Sequence, residues 1–200
     1  NADVDCFVEV GGGPIGFVGY CQYAGLTTTA GPTGTTLFVT NSGSSSVTGG
    51  TAAGDGSLTD VTSTGSPNFN NPNGIAISGT TAYVTNYGGN SVTQCTIDGT
   101  SLTGCAEMPT TGTPNFASPI GIAISGTTAY VTNYGGNSVT RCTIDGTSLT
   151  DCATMPTTGT PNFNRPRDIA ISGTTAYVVN EVGNSVTRCT IDGTSLTDCA

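Results

Sequence analysis

The sequence predicts an all-β chain: a β-propeller-type array of four-stranded antiparallel blades, preceded by an N-terminal disulfide hairpin. Three observations predict it. Cys95, Cys142 and Cys189 are spaced by 142 − 95 = 47 and 189 − 142 = 47 residues, and Tyr83, Tyr130 and Tyr177 keep the same period. Each period holds four short β-prone runs separated by turn chemistry. No window of the 200 residues has helical periodicity.

Taken in order, residues 1–24 read as a hairpin of their own. Cys6 and Cys21 flank "FVEVGGGPIGFVGY", and setting Val10 opposite Phe17 across "GGGPIG" sets Cys6 opposite Cys21. Residues 25–200 hold the repeat domain. Its first copy is diverged: "GTTLFVTNSGSSSVTGG" matches "GTTAYVTNYGGNSVTQC", with Phe38 in place of the tyrosine and with Gly50 and Val61 where cysteines would fall. The next copies are nearly identical, since Gly74–Ile120 and Gly121–Arg167 differ at only six positions.

Within a copy, "GIAIS" is the first strand, with Ile75 and Ile77 on one face. "AYVTN" is the second, "SVTQCTI" the third and "TGCAEM" the fourth, joined by "SGTT", "YGGN" and "DGTSL". The stretch "MPTTGTPNFASPI" leads to the next copy, and its prolines argue against regular ladder pairing. One such sheet cannot bury both faces, so neighbouring sheets must stack on it. An open β-solenoid is the rival architecture, but its repeats are usually shorter and its strands parallel.

The residues "NPNGIAISGTTAYVTN" and their echoes resemble the YVTN-type β-propeller repeat, a relative of NHL-like blades. The motif stands as "YVTN" at 83–86 and 130–133 and weakens to "FVTN" at 38–41 and "YVVN" at 177–180. The resemblance implies an exported or cell-surface protein, surface-layer proteins included, and a family defined by its scaffold rather than by shared catalytic residues.

Eight cysteines divide by the repeat into pairs. Cys95 and Cys105 flank "TIDGTSLTG", and a hairpin turning about Thr100 sets them opposite each other, within reach of a disulfide. The copies predict Cys142–Cys152 and Cys189–Cys199 likewise, each bridge stapling an outer, exposed hairpin. Zinc would require closer Cys clusters, usually with histidine. Cystines imply an oxidising compartment, hence an extracellular or cell-surface location. A chain beginning at Asn1 rather than Met fits a processed form.

The net charge is −9, with four arginines, no lysine and no histidine. Nucleic acid is excluded as a partner for want of a basic stripe, and no apolar run is long enough to insert in a membrane. General bases, Schiff-base amines and triads lack their usual residues, so the expectation is of no enzyme, no cofactor and no metal site. Asp98, Asp145 and Asp192 each precede glycine, which reads as turn chemistry rather than calcium binding.

The candidate binding or interface residues are two that keep the repeat and four that break it or stand beside the break. Tyr87 and Tyr134 recur beside asparagines, as sugar-binding surfaces also arrange them. Glu181 and Val182 replace Tyr-Gly in the last copy, whose approach carries Arg165 and Arg167. The functional expectation is a non-enzymatic, secreted structural protein that assembles with copies of itself into a filament or surface layer. The alternative is an adhesion module binding a glycan or a surface protein.

Overall fold

The computed structural model describes residues 6–10, 13–17, 26–31, 34–53, 57–113, 116–160 and 163–200, with backbone alone up to Gly34. Strands β1 (Cys6–Val10) and β2 (Gly13–Phe17) form a two-stranded antiparallel sheet. Val10 pairs with Gly13 and Cys6 with Phe17. The expected pairing of Val10 with Phe17 is therefore corrected: Pro14 and Ile15 belong to β2, opposite Glu9 and Val8. The expected Cys6–Cys21 bridge lies outside the described residues.

Four antiparallel sheets follow. The first contains β3 (Leu26–Gly31), β4 (Gly34–Asn41), β5 (Ser46–Ala52) and β6 (Leu58–Gly65). The second contains β7 (Pro72–Ser78), β8 (Thr81–Asn86), β9 (Ser91–Asp98) and β10 (Ser101–Glu107). Blade three is built from β12 (Pro119–Ser125), β13 (Thr128–Asn133), β14 (Ser138–Asp145) and β15 (Ser148–Thr154). Blade four is built from β17 (Pro166–Ser172), β18 (Thr175–Asn180), β19 (Ser185–Asp192) and β20 (Ser195–Cys199). The first strands β7, β12 and β17 lie innermost and touch one another from blade to blade.

The links between blades are not free of pairing, as their prolines suggested. Thr110–Gly112 forms β11, which runs parallel to β15 of the next blade, and Thr157–Gly159 forms β16 alongside β20. The prolines flank these three-residue strands, and the carbonyl of Pro109 accepts from Leu149 N at 2.9 Å. Proline can still accept in a ladder; it only lacks the donor.

In blades two to four the third-to-fourth-strand hairpin carries its cystine on a bulge. Asp98 pairs with Ser101, so the chain turns on Gly99–Thr100, with Gly99 at φ +60 as a type II′ turn requires. The turn is thus centred between these two residues rather than on Thr100, and an unbroken register would set Cys95 opposite Gly104. The extra residue Gly104, at φ 58, shifts the register so that Ala106 pairs with Gln94 and Cys105 reaches Cys95 at a Cα separation of 4.1 Å. Asp151 and Asp198 hold the same left-handed place beside Cys142–Cys152 and Cys189–Cys199. In blade one Asp60 is the bulge residue, and Gly50 and Val61 stand where the bridge would be.

These cystines are not the exposed staples expected from the sequence. Cys142, Cys152, Cys189 and Cys199 are all buried, because the core lies between blades and the preceding blade covers them. One cluster joins Phe38 and Val47 of blade one to Ile75, Val84 and Cys95 of blade two. The next joins Tyr83, Val92 and Met108 to Val131, Cys142 and Leu149, and the third joins Tyr130, Val139 and Met155 to Val178, Cys189 and Leu196. Stacking removes both faces of blades two and three from water, which is the main stabilising term.

Two polar devices fix the stack. The asparagine that ends the second strand of blades two to four is buried and fully used: Asn133 Nδ2 donates to Thr140 Oγ1 at 2.8 Å, and its Oδ1 accepts from Ala117 N at 3.3 Å. Asn86 and Asn180 repeat this with Thr93 and Thr187. The threonine before it reaches across the junction: Thr40 donates to the carbonyl of Asn73, Thr85 to that of Ile120 and Thr132 to that of Arg167.

Candidate functional site

The loops between second and third strands gather on one side of the stack, around its inner rim. There an open depression of about 320 Å³ is lined by equivalent positions of successive copies. Ser42, Tyr87 and Tyr134 line it, and Glu181 is their counterpart in blade four. Asn73, Ile120 and Arg167 form a second equivalent set, while Asn71 and Gly43 complete the lining.

Tyr87 and Tyr134 meet edge to face, with ring centroids 6.2 Å apart. Arg165 and Arg167 both lie over the Tyr134 ring, their guanidinium carbons 5.3 and 5.4 Å from its centroid. Arg165 Nη1 also donates to Tyr134 Oη at 3.1 Å, and Arg167 Nε donates to Glu181 Oε2 at 2.8 Å. That hydrogen bond is the chief reason the Glu181 carboxyl is held below its ordinary range, with Tyr134 and the charges of both arginines adding to it. The loops themselves are tied across blades: Asn90 Oδ1 accepts from Ser118 N, and Asn137 Oδ1 from Arg165 N, each at 2.7 Å.

The structure therefore brings together five of the six candidate residues, Tyr87, Tyr134, Arg165, Arg167 and Glu181. Val182 stands apart, 42% exposed and away from the depression. The sequence reading missed Ser42, Asn71, Asn73 and Ile120. A comparison of copies held the signal. Blades two and three differ at Gln94/Arg141, Gly104/Asp151, Glu107/Thr154, Ala117/Asn164, Ser118/Arg165 and Ile120/Arg167. The last three of those six crowd into the segment that enters the rim.

Asp168 follows on β17, where blades two and three have Gly74 and Gly121. It is exposed by surface area, yet enough protein surrounds the carboxyl for desolvation to raise its pKa, against the hydrogen bond it accepts from Ile169 N at 2.8 Å.

Residues 27–199 match the family described as lactonase, seven-bladed β-propeller. The chain belongs to the lactonase family. This corrects two expectations. The non-enzymatic reading rested on the missing histidine and lysine, and the structural-filament reading rested on the cystines and sparse charge. Membership in an enzyme-like propeller family overturns both, because a propeller gathers a site from several blades and no single copy need display it.

The lactonase-family chain is also similar to solved propellers. A candidate 6-phosphogluconolactonase of Bacteroides uniformis is 18% identical, with a TM-score of 0.58 over 82% of this chain and 51% of its own. A catalytically inactive virginiamycin B lyase of Staphylococcus aureus, solved with quinupristin, is 15% identical, with a TM-score of 0.60 over 98% of this chain and 59% of its own. Hydrazine synthase of Kuenenia stuttgartiensis is 23% identical, with a TM-score of 0.61 over 90% of this chain and 52% of its own. At such identities the likeness is one of fold, and this chain spans little more than half the length of each. No curated protein matches the chain by sequence.

Proposed function

We propose that this chain works as a lactonase-type propeller, binding the cyclic ester of a hydroxylated acid in the depression beside Arg167. The observation that carries the reading is where the copies diverge. Two consecutive 47-residue units (167 − 121 + 1 = 47) keep their scaffold unchanged, yet half of their six differences fall on the rim. Scaffold positions repeat because each blade must stack identically; rim positions differ because a ligand is not symmetric.

The chemistry supports an ester. Asn71, Asn73 and Ser42 offer hydrogen bonds to hydroxyls, and the tyrosine rings offer apolar faces to a sugar-like ring. Arg167, oriented by Glu181, would stabilise the negative charge that develops on an ester carbonyl under attack. Glu181, held ionised by that arginine, is better suited to fixing it than to taking a proton from water. The assignment to this chain of a sugar-acid lactone, as the Bacteroides protein's name suggests for that protein, is part of the same proposal.

The "YVTN" motifs support a place near the YVTN-type repeats within these propellers, and the three cystines support an oxidising, extracellular setting. The test is the hydrolysis of glucono-δ-lactone and its 6-phosphate, followed by base consumption at constant pH. Saturable acceleration is expected, reduced roughly tenfold or more in Arg167→Ala. Hydrolysis at the buffer rate, with no ligand-induced NMR shifts in the protein, would sink the reading.

A further inference from the structure

Arg165 stands in the left-handed region at φ +51, a conformation that asparagine adopts cheaply and arginine does not. The equivalent place holds Asn71 in blade two, at φ +55, and Ser118 in blade three, at φ +52. The turn asks for a short polar residue, and an arginine there stores backbone strain. Two bonds keep it in place: its N donates to Asn137 Oδ1 at 2.7 Å, and its carbonyl accepts from Glu181 N at 3.1 Å. Ser118 is clamped in the same way by Asn90 and Tyr134, so only the side chain sets Arg165 apart.

That side chain braces a tyrosine. The Arg165 guanidinium lies over the Tyr134 ring and donates to its hydroxyl, and Arg167 lies over the same ring. Arg167 in turn donates from Nε to Glu181 Oε2 at 2.8 Å. That bond, helped by the nearby Tyr134 hydroxyl, holds the Glu181 carboxyl below its ordinary range. An arginine on an open rim samples many rotamers; here a ring on one side and a carboxylate on the other remove most of them.

The set changes as a unit from one junction to the next. Around Tyr87 the equivalent places are Ser118, Ile120 and Tyr134; around Tyr134 they are Arg165, Arg167 and Glu181. The scaffold beneath does not change, since Thr85 and Thr132 make the same clasp at both junctions. Three replacements that surround one ring, one of them at a strained position, point to a shared task.

We propose that Arg165 and Tyr134 are positioning residues, which act through the ring and through Glu181 to hold the Arg167 guanidinium at one place in the depression. The consequence for rate rests on the lactonase reading; the held geometry does not. Arg165→Asn and Tyr134→Phe test it, each read by urea denaturation, by the NMR signal of the Arg167 Nε–H and by hydrolysis of glucono-δ-lactone. Arg165→Asn relieves the left-handed strain, so its urea midpoint should match or exceed the parent's. In both variants the Arg167 Nε–H should nonetheless exchange with solvent roughly threefold faster or more. Both should lower kcat roughly tenfold while KM stays within about twofold. Tyr134→Phe removes no charge, so a Glu181 carboxyl that titrates higher in it reports the lost hydroxyl alone. If the parent hydrolyses no lactone, the lactonase reading falls and the Nε–H signal still decides this one. Unchanged Nε–H exchange in both variants would overturn the proposal, as would unchanged kcat in both beside an active parent. A lowered urea midpoint in Arg165→Asn would overturn it too, since the arginine would then serve stability.

Discussion

The Cα of Asp168 lies 2.7 Å from the point where a Cβ on Gly121 would stand. Blades three and four touch here backbone to backbone, and the glycine is what permits it. Gly74 meets Ile120 in the same way. The "GIAIS" glycine is thus a packing residue, needed wherever another inner strand follows.

Gly121→Ala should therefore be costly for so small a change. The added methyl meets backbone atoms, which cannot swing aside, so the inner strands must part and the Thr132 clasp with them. A loss of about 1–3 kcal/mol is expected from overpacking, read as a lower urea midpoint with unchanged m-value.

Replacing Cys142 and Cys152 together by serine should cost roughly 2–3 kcal/mol from the lost loop constraint. The polar hydroxyls also enter a buried site between blades two and three, which adds to the loss. Thermal melts with and without reductant check this: the reductant should lower the parent's melting temperature and move the double variant less.

The Arg167–Glu181 pair sets an acid limit. Glu181 has a folded-state pKa below its ordinary value, so its contribution is present above the unfolded pKa and is lost as the pH falls through the folded one. Carbon-detected NMR should find its carboxyl titrating below the usual glutamate range, and Arg167→Ala should return it upward. Asp168 runs the opposite way. Its raised pKa disfavours the folded state once the carboxyl ionises, so Asp168→Asn should gain relative stability as the pH rises past that point.

The blades were legible because stacking demands the same residues in every copy. Tyr83, Tyr130 and Tyr177, and the cysteines with them, announce the period, the strand order and three of the bridges. The bulges were not legible. Gly104, Asp151 and Asp198 share a backbone conformation rather than a side-chain type, and a hairpin centred on Thr100 gives the right partners from the wrong register. The site was half legible. Arg165, Arg167 and Glu181 broke the pattern visibly, whereas Asn73 and Ile120 are ordinary residues until the inner rim brings them beside Tyr87. Function was misjudged for the same reason, since one copy read alone shows a scaffold and the depression exists only between copies.

The strands β11 and β16 mean that the module in space is offset from the module in sequence. Thr110 of one unit completes the sheet of Leu149 in the next, so excising a 47-residue unit at its sequence boundary would cut across two sheets. Anyone adding or deleting blades in this chain would do better to join the pieces between Met108 and Pro109, so that each cassette keeps the short strand that zips its own outer edge.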